Sequence, residues 1–265
     1  MIQIRDLKKQ FCSHNPRKGF FFHIEALDIE EGEIVYVLGP NGSGKTTLLA
    51  LIQGAINADA GSVRVSNSST ALFDLMELEP YKRSRYLGVV PQDSDESLVN
   101  EMTIADHVLV GFSRTNSVPL LFPRWRSRTS LKETLGRFDL GFEKRLNEYV
   151  GNLSGGERQV LTFCMATVVL PAIMLLDEFT SSLDPEMASK VSATVMAFLR
   201  SNKVTALIVT HRHKEALDNA DRIIILHQGM PHCELKKGEE GFTGERVRAV
   251  FRGLYSNEVS STFSE

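Results

Sequence analysis

One stretch limits this chain more than any other. Gly39-Pro40-Asn41-Gly42-Ser43-Gly44-Lys45-Thr46 fits the pattern G-x-x-x-x-G-K-[ST]. Ile34 to Leu38 (IVYVL), apolar throughout, precedes it and reads as a strand buried on both faces of a parallel sheet. The helix-like TTLLALIQG follows. Strand, glycine-rich loop and helix in that order form a phosphate-binding loop. Small residues let backbone N–H groups point inward at a phosphate chain, and the helix N-terminus adds partial positive charge. Lys45 is expected on the β- and γ-phosphates of a nucleotide, and the Thr46 hydroxyl on Mg²⁺. Gly39, Asn41, Gly42, Ser43, Gly44, Lys45, Thr46 and Thr47 are the candidate nucleotide ligands of this loop.

A phosphate loop needs a carboxylate near its metal. Ile173-Met174-Leu175-Leu176-Asp177-Glu178 supplies one at the end of a second apolar strand, where open α/β sheets bind ligands. Asp177 is expected to hold Mg²⁺ through water, and Glu178 to polarise the attacking water. Strands alternate with helices along the chain. Short strands are read near Ile2 to Leu7, Phe20 to Glu30, Gly61 to Val65, Ala71 to Met76 and Val204 to Val209. Helices are read at Gly156 to Val168, Pro185 to Leu199 and near Lys214. The fold class is therefore α/β with a mainly parallel core sheet and an N-terminal antiparallel β portion. TIADHVLVGF and TSLKETLGRF mark a mainly helical insertion near residues 95–150.

Composition narrows the partners. Lys and Arg number 30 against 33 Asp and Glu, a net charge of −3, which excludes a protein that coats nucleic acid by bulk charge. Cys12, Cys164 and Cys233 are far apart and odd in number, so neither a disulfide framework nor a CxxC metal site follows, and a reducing compartment suits them. The N-terminus shows no apolar signal region. The longest weakly polar run, Cys164 to Leu176, is broken by Pro171 and falls short of the roughly 20 residues that span a bilayer. The chain is not expected to cross a membrane itself.

Leu153-Ser154-Gly155-Gly156-Glu157 adds a helix start, because Ser154 and Glu157 fit the S-x-x-E capping box. The two glycines leave the backbone open to a second phosphate-bearing surface. Here the chain resembles the ATP-binding cassette (ABC) ATPases, whose signature is LSGGQ or a near variant. Further motifs fall in the family's order over residues 39 to 211: Gln92 after Val89-Val90-Pro91, Ser182-Leu183-Asp184, and His211 after Ile208-Val209-Thr210.

The resemblance implies several roles. Gln92 would sense Mg²⁺ and the attacking water, and His211 would contact the γ-phosphate. Ser154, Gly155, Gly156 and Asp184 would meet the nucleotide of a second subunit in a head-to-tail dimer. Phe11 is the candidate adenine-stacking aromatic, with Phe20-Phe21-Phe22 as rivals. His213 is read as a surface residue with no such role. The implied function is ATP hydrolysis that drives transport through a separate membrane permease at the cytoplasmic face of the membrane. A substrate-binding protein would act through that permease, and no nucleic acid is expected. A soluble non-transport ABC ATPase, such as an iron–sulfur assembly factor, is the alternative.

Glu157 departs from the usual glutamine, and Phe179 stands where most relatives have proline. Glu157 is a common variant, whereas Phe179, with Gly238-Glu239-Glu240 and a closing helix Thr243 to Leu254, resembles the ATPases of bacterial importers for aromatic amino acids such as tryptophan and tyrosine. The chain reads as one ABC ATPase domain over residues 1–255, with a flexible tail at 256–265. Pro123-Arg124-Trp125-Arg126-Ser127-Arg128 reads either as a solvated basic loop or as a contact for a permease or anionic headgroups. Leu120, Leu121, Phe122 and Trp125 are expected to form an exposed patch for the permease, the alternative being that they pack inside the helical insertion.

Overall fold

In chain order the elements are β1 (Ile2–Phe11), β2 (Phe20–Ile29), β3 (Ile34–Leu38), α1 (Lys45–Gln53), β4 (Ala60–Asn67), β5 (Thr70–Asp74), α2 (Pro80–Arg83), β6 (Leu87–Val90) and α3 (Ile104–Phe112). They continue with α4 (Arg128–Gly136), α5 (Gly155–Thr167), β7 (Ile173–Asp177), α6 (Pro185–Ser201), β8 (Thr205–Val209), α7 (His213–Asn219), β9 (Arg222–His227), β10 (Met230–Lys236) and α8 (Gly244–Thr262). The computed structural model describes residues 1–11, 19–67, 70–112, 128–138 and 141–262. The chain forms two compact units, Met1–Leu78 with Leu207–Glu265, and Glu79–Ala206. The boundary falls within β8.

The first unit holds an antiparallel sheet in the order β2-β1-β4-β5. β1 buries Ile2 and Ile4, then Leu7. The alternation slips because Asp6 has φ 49°, and the register with β4 shifts between Arg5 and Lys8. That bulge, and the polar Lys8-Lys9-Gln10 after it, hide a strand that runs ten residues rather than the short one the sequence suggests. Similarly, β5 ends at Asp74, and Leu75–Glu77 turn into a 3₁₀ segment capped by the Asp74 carboxylate, so the expected strand to Met76 stops early. β3 is buried at all five positions and pairs in parallel with β9, Leu38 opposite Ile225. β10 returns antiparallel on β9. Below this sheet end lies a groove of about 710 Å³ lined by Asp28, Glu30, Glu33, Arg222 and Glu234. Arg222 is nearly buried there and pairs with Glu33 (2.7 Å) and Glu234 (2.7 Å).

The second unit contains β6 and β7 in parallel, Val90 opposite Leu176. Its apolar core includes Phe138, Phe163 and Phe198, whose rings meet face to face and edge to face at 5.1–5.9 Å. α3 begins on a Thr103–Asp106 cap, and its first amides donate to Glu148 O and Leu146 O. α8 in the first unit continues to Thr262, into the stretch read as a tail. No helix among the described residues is long and apolar enough to cross a membrane. The expected patch at Leu120, Leu121, Phe122 and Trp125 lies outside the described residues. Cys164 is fully buried, which pushes its thiol up, and Cys233 is also free.

Candidate nucleotide site

In the first unit, β3 delivers Gly39 at its C-terminal end and the loop runs into α1. Gly44 caps that helix with φ 103°, a left-handed conformation open to glycine. A Cβ there would also stand 2.9 Å from the buried Phe22 ring. Lys45 is buried, and its Nζ donates to Gly39 O (2.8 Å) and Pro40 O (3.0 Å), so the ammonium is held inside the loop. The Ser43 hydroxyl is buried with no hydrogen-bond partner among the described residues. An orphaned hydroxyl inside a loop of inward small residues suits an incoming phosphate oxygen. Asn41, Gly42 and Thr46 are exposed and Thr47 half-buried at the loop's open side. His211 is exposed one residue past Thr210, whose amide donates to Val37 O on β3. That bond places the histidine beside the strand that feeds the loop.

Phe11 is half-buried and its ring lies 5.9 Å from that of Phe20. It is Phe20 and Phe22 that reach the position of a Gly44 side chain, at 3.3 and 2.9 Å. His213 is half-buried. Its ring packs 4.3 Å from that of Phe251, and burial, with the charges of His211 and Arg248, pulls its pKa below the ordinary histidine value.

In the second unit, the parallel register sets Gln92 and Glu178 each two residues beyond the paired Val90 and Leu176. Asp177 and Glu178 are half-buried at the C-terminal end of β7, and Gln92 is exposed. Glu178 has φ 41°, a left-handed backbone that costs a non-glycine residue about 1–3 kcal/mol and clusters at functional sites. A 2.8 Å bond from Ser181 N to Glu178 O closes the following turn. A magnesium ion keeps several waters and needs only one or two carboxylates beside the phosphates. Asp177 fits that demand. Among the described residues no cluster of three or more His, Cys, Asp or Glu forms an all-protein cage.

The signature is also in the second unit. Ser154 Oγ accepts from Glu157 N (3.3 Å), and Glu157 Oε2 accepts from Ser154 N (2.8 Å), a complete capping box. Ser154 and Gly155 are exposed. Gly156 is buried, and a Cβ there would lie 2.3 Å from Met187 Cγ. The missing side chain thus admits a neighbour within this chain, so of the two glycines Gly155 is the open one. Asp184 caps α6 through its own carboxylate, accepting from Glu186 N (3.1 Å) and Met187 N (3.0 Å). Buried Gln159 donates to Pro91 O (3.1 Å), tying α5 to the backbone just before Gln92. The sequence reading missed that bond, Ser43's isolation and the strained Glu178.

Residues 23–181 match the family described as ABC transporter. A tyrosine transport ATP-binding protein of Clostridioides difficile (strain R20291) is 33% identical over 95% of this chain and 98% of its own length. A sulfate/thiosulfate import ATP-binding protein CysA of Bacillus cereus (strain ATCC 14579) is 33% identical over 86% of this chain. The chain spans 59% of that relative. A dimeric ATP-binding cassette in a post-hydrolysis state with ADP and phosphate aligns with a TM-score of 0.72 at 25% identity, over 89% of this chain and 98% of its own. A family match of this extent, joined to likeness along nearly all of a relative and of a solved cassette, leaves one assignment: the chain is an ATP-hydrolysing cassette and belongs to the ABC transporter family.

Proposed function

We propose that this chain powers import of a small solute, an aromatic amino acid such as tyrosine, through a separate permease at the cytoplasmic face of a membrane. The observation that carries the reading is the match to the tyrosine transport ATP-binding protein, which extends over nearly the whole of both chains. The sulfate/thiosulfate relative matches over a smaller share of this chain and is itself longer. These transport names weigh against a soluble assembly factor. A substrate-binding protein working through the permease belongs to the same reading.

At the site, Lys45 and the loop amides hold the β- and γ-phosphates of ATP. Thr46, Asp177 and Gln92 are the residues that would hold Mg²⁺, which would neutralise charge on the transferring phosphoryl group. Glu178 orients the attacking water, and His211 contacts the γ-phosphate. Phe11 or the loop-facing Phe20 offers a ring to the base. Exposed Ser154 and Gly155, with Gly156 and Asp184, complete the ATP site of a second copy in a head-to-tail homodimer. The domain reading stands with this: one cassette over 1–255, with the 95–150 segment reading the permease.

The test is uptake in the native host with and without the gene. Loss of tyrosine and tryptophan uptake with sulfate uptake intact is the expected result. Unchanged aromatic amino-acid uptake would remove the substrate assignment and leave the ATPase assignment standing.

A further inference from the structure

Glu157 sets a physical problem. The glutamine usual at this place is neutral, whereas a glutamate puts a negative charge in the first turn of a helix whose N-terminus is read as facing a partner's γ-phosphate. The charge helps the helix dipole but repels an incoming anion. The structure also shows what holds that carboxylate. Arg145 spreads its guanidinium over two acids. Its Nε and Nη2 form a fork with Glu148 (2.6 and 2.8 Å), and its Nη1 donates to Glu157 Oε1. The other Glu157 oxygen accepts the Ser154 amide. Burial pushes the Glu157 carboxyl up, but Arg145 and Ser154 together hold it below its ordinary value. Arg145 itself sits on an anchored loop, since Glu148 N donates to Arg145 O while Glu148 O and Leu146 O receive the first amides of α3.

We propose that Arg145 is a positioning residue for ATP-driven dimerisation: it fixes the Glu157 carboxylate on the Ser154 amide and offsets its charge, so that the signature serine meets the partner's phosphate at the right angle. This rests on the reading of Ser154 as a contact to a second copy's nucleotide. A neutral glutamine at 157 could still accept the Ser154 amide but would need no counter-charge. The arginine and the glutamate are therefore a matched pair.

The experiment follows ATP-dependent dimerisation of the full chain by analytical ultracentrifugation, in a Glu178→Gln background, beside melting temperature and nucleotide affinity of the monomer. Arg145→Met should raise the ATP concentration needed for dimerisation roughly tenfold, the scale of a lost charge-assisted bond. The penalty should be largest at low salt. Adding Glu157→Gln should restore dimerisation, and monomer nucleotide affinity should not move. Should Arg145→Met fail to fold, Arg145→Lys carries the same test: a point charge cannot fork over both acids, so it weakens dimerisation, and Glu157→Gln again restores it. Parent-like dimerisation of the Arg145 variants overturns the inference, and so does a loss that Glu157→Gln fails to restore. Ser154→Arg in the same background separates the two levels. If it dimerises like its parent, the reading of the signature itself fails and takes this inference with it.

Discussion

The phosphate loop and the signature both end in small residues at a helix start, yet they are built by opposite means. The loop grows out of β3, buried at every position, and its lysine is buried and bonded to the loop's own carbonyls. Its shape comes from the apolar core and from a glycine conformation that few other residues adopt. The signature stands on an exposed cap, held by a capping box and by the ion pairs of Arg145. The loop is preformed for a nucleotide; the signature is presented outward, with Ser154 and Gly155 uncovered. On the proposed reading, the loop preformed in the core binds nucleotide by itself, whereas the signature displayed on a cap acts on a nucleotide brought to it.

The largest expected effect separates binding from chemistry. Glu178→Gln should leave ATP binding at the loop intact and cut turnover by about 10²-fold or more, the scale of a lost general base. Steady-state ATPase rates and nucleotide titrations check this. Near-normal kcat would remove Glu178 from the role and leave its strained backbone unexplained.

A smaller effect probes the core that supports the loop. Arg222 is buried at the opposite end of β9 from the loop, between Glu33 and Glu234. Arg222→Met should cost about 2 kcal/mol of stability, discounted from the usual buried-pair figure because Glu234 is substantially exposed. Urea unfolding measures it. The ATPase rate per folded molecule should hold, because the substitution is remote from the loop.

The smallest effect is one of pH. Burial holds the pKa of His213 below the ordinary value, so the unfolded chain takes up a proton there before the folded one does. The contribution to stability is complete above the ordinary histidine value and is lost as pH falls through the lower folded value. Melting curves should therefore show a slight acid-side decline that His213→Gln reduces. An identical pH profile in the two proteins would discard the packing of His213 on Phe251 as its cause.

What could be seen in the sequence follows the same division. The phosphate loop, β3, β7 and the capping box were legible because each rests on local pattern: an unbroken apolar run, fixed glycines, a serine three residues before a glutamate. β9 and β10 were not picked out, although Ile223-Ile224-Ile225-Leu226 before Gln228-Gly229 carries a strand-and-turn signal. β1 was cut short by a bulge that breaks the alternation at Asp6. Long-range pairings left no local trace. Gln159 on Pro91, Arg145 on Glu157, and Phe20 and Phe22 beside Gly44 depend on which segments the fold brings together. The packing of His213 on Phe251 left no trace for the same reason, since Phe251 lies far along the chain.

The central claim is that each ATP is completed by a second copy of this chain. Sedimentation of the Glu178→Gln protein with saturating ATP tests it most directly, with Ser154→Arg in the same background as the contrast. The account predicts a dimer carrying one ATP per chain, and for Ser154→Arg a monomer that still binds nucleotide at its own loop. A parent that stays monomeric with ATP bound, or a Ser154→Arg protein that pairs as readily as its parent, would contradict it.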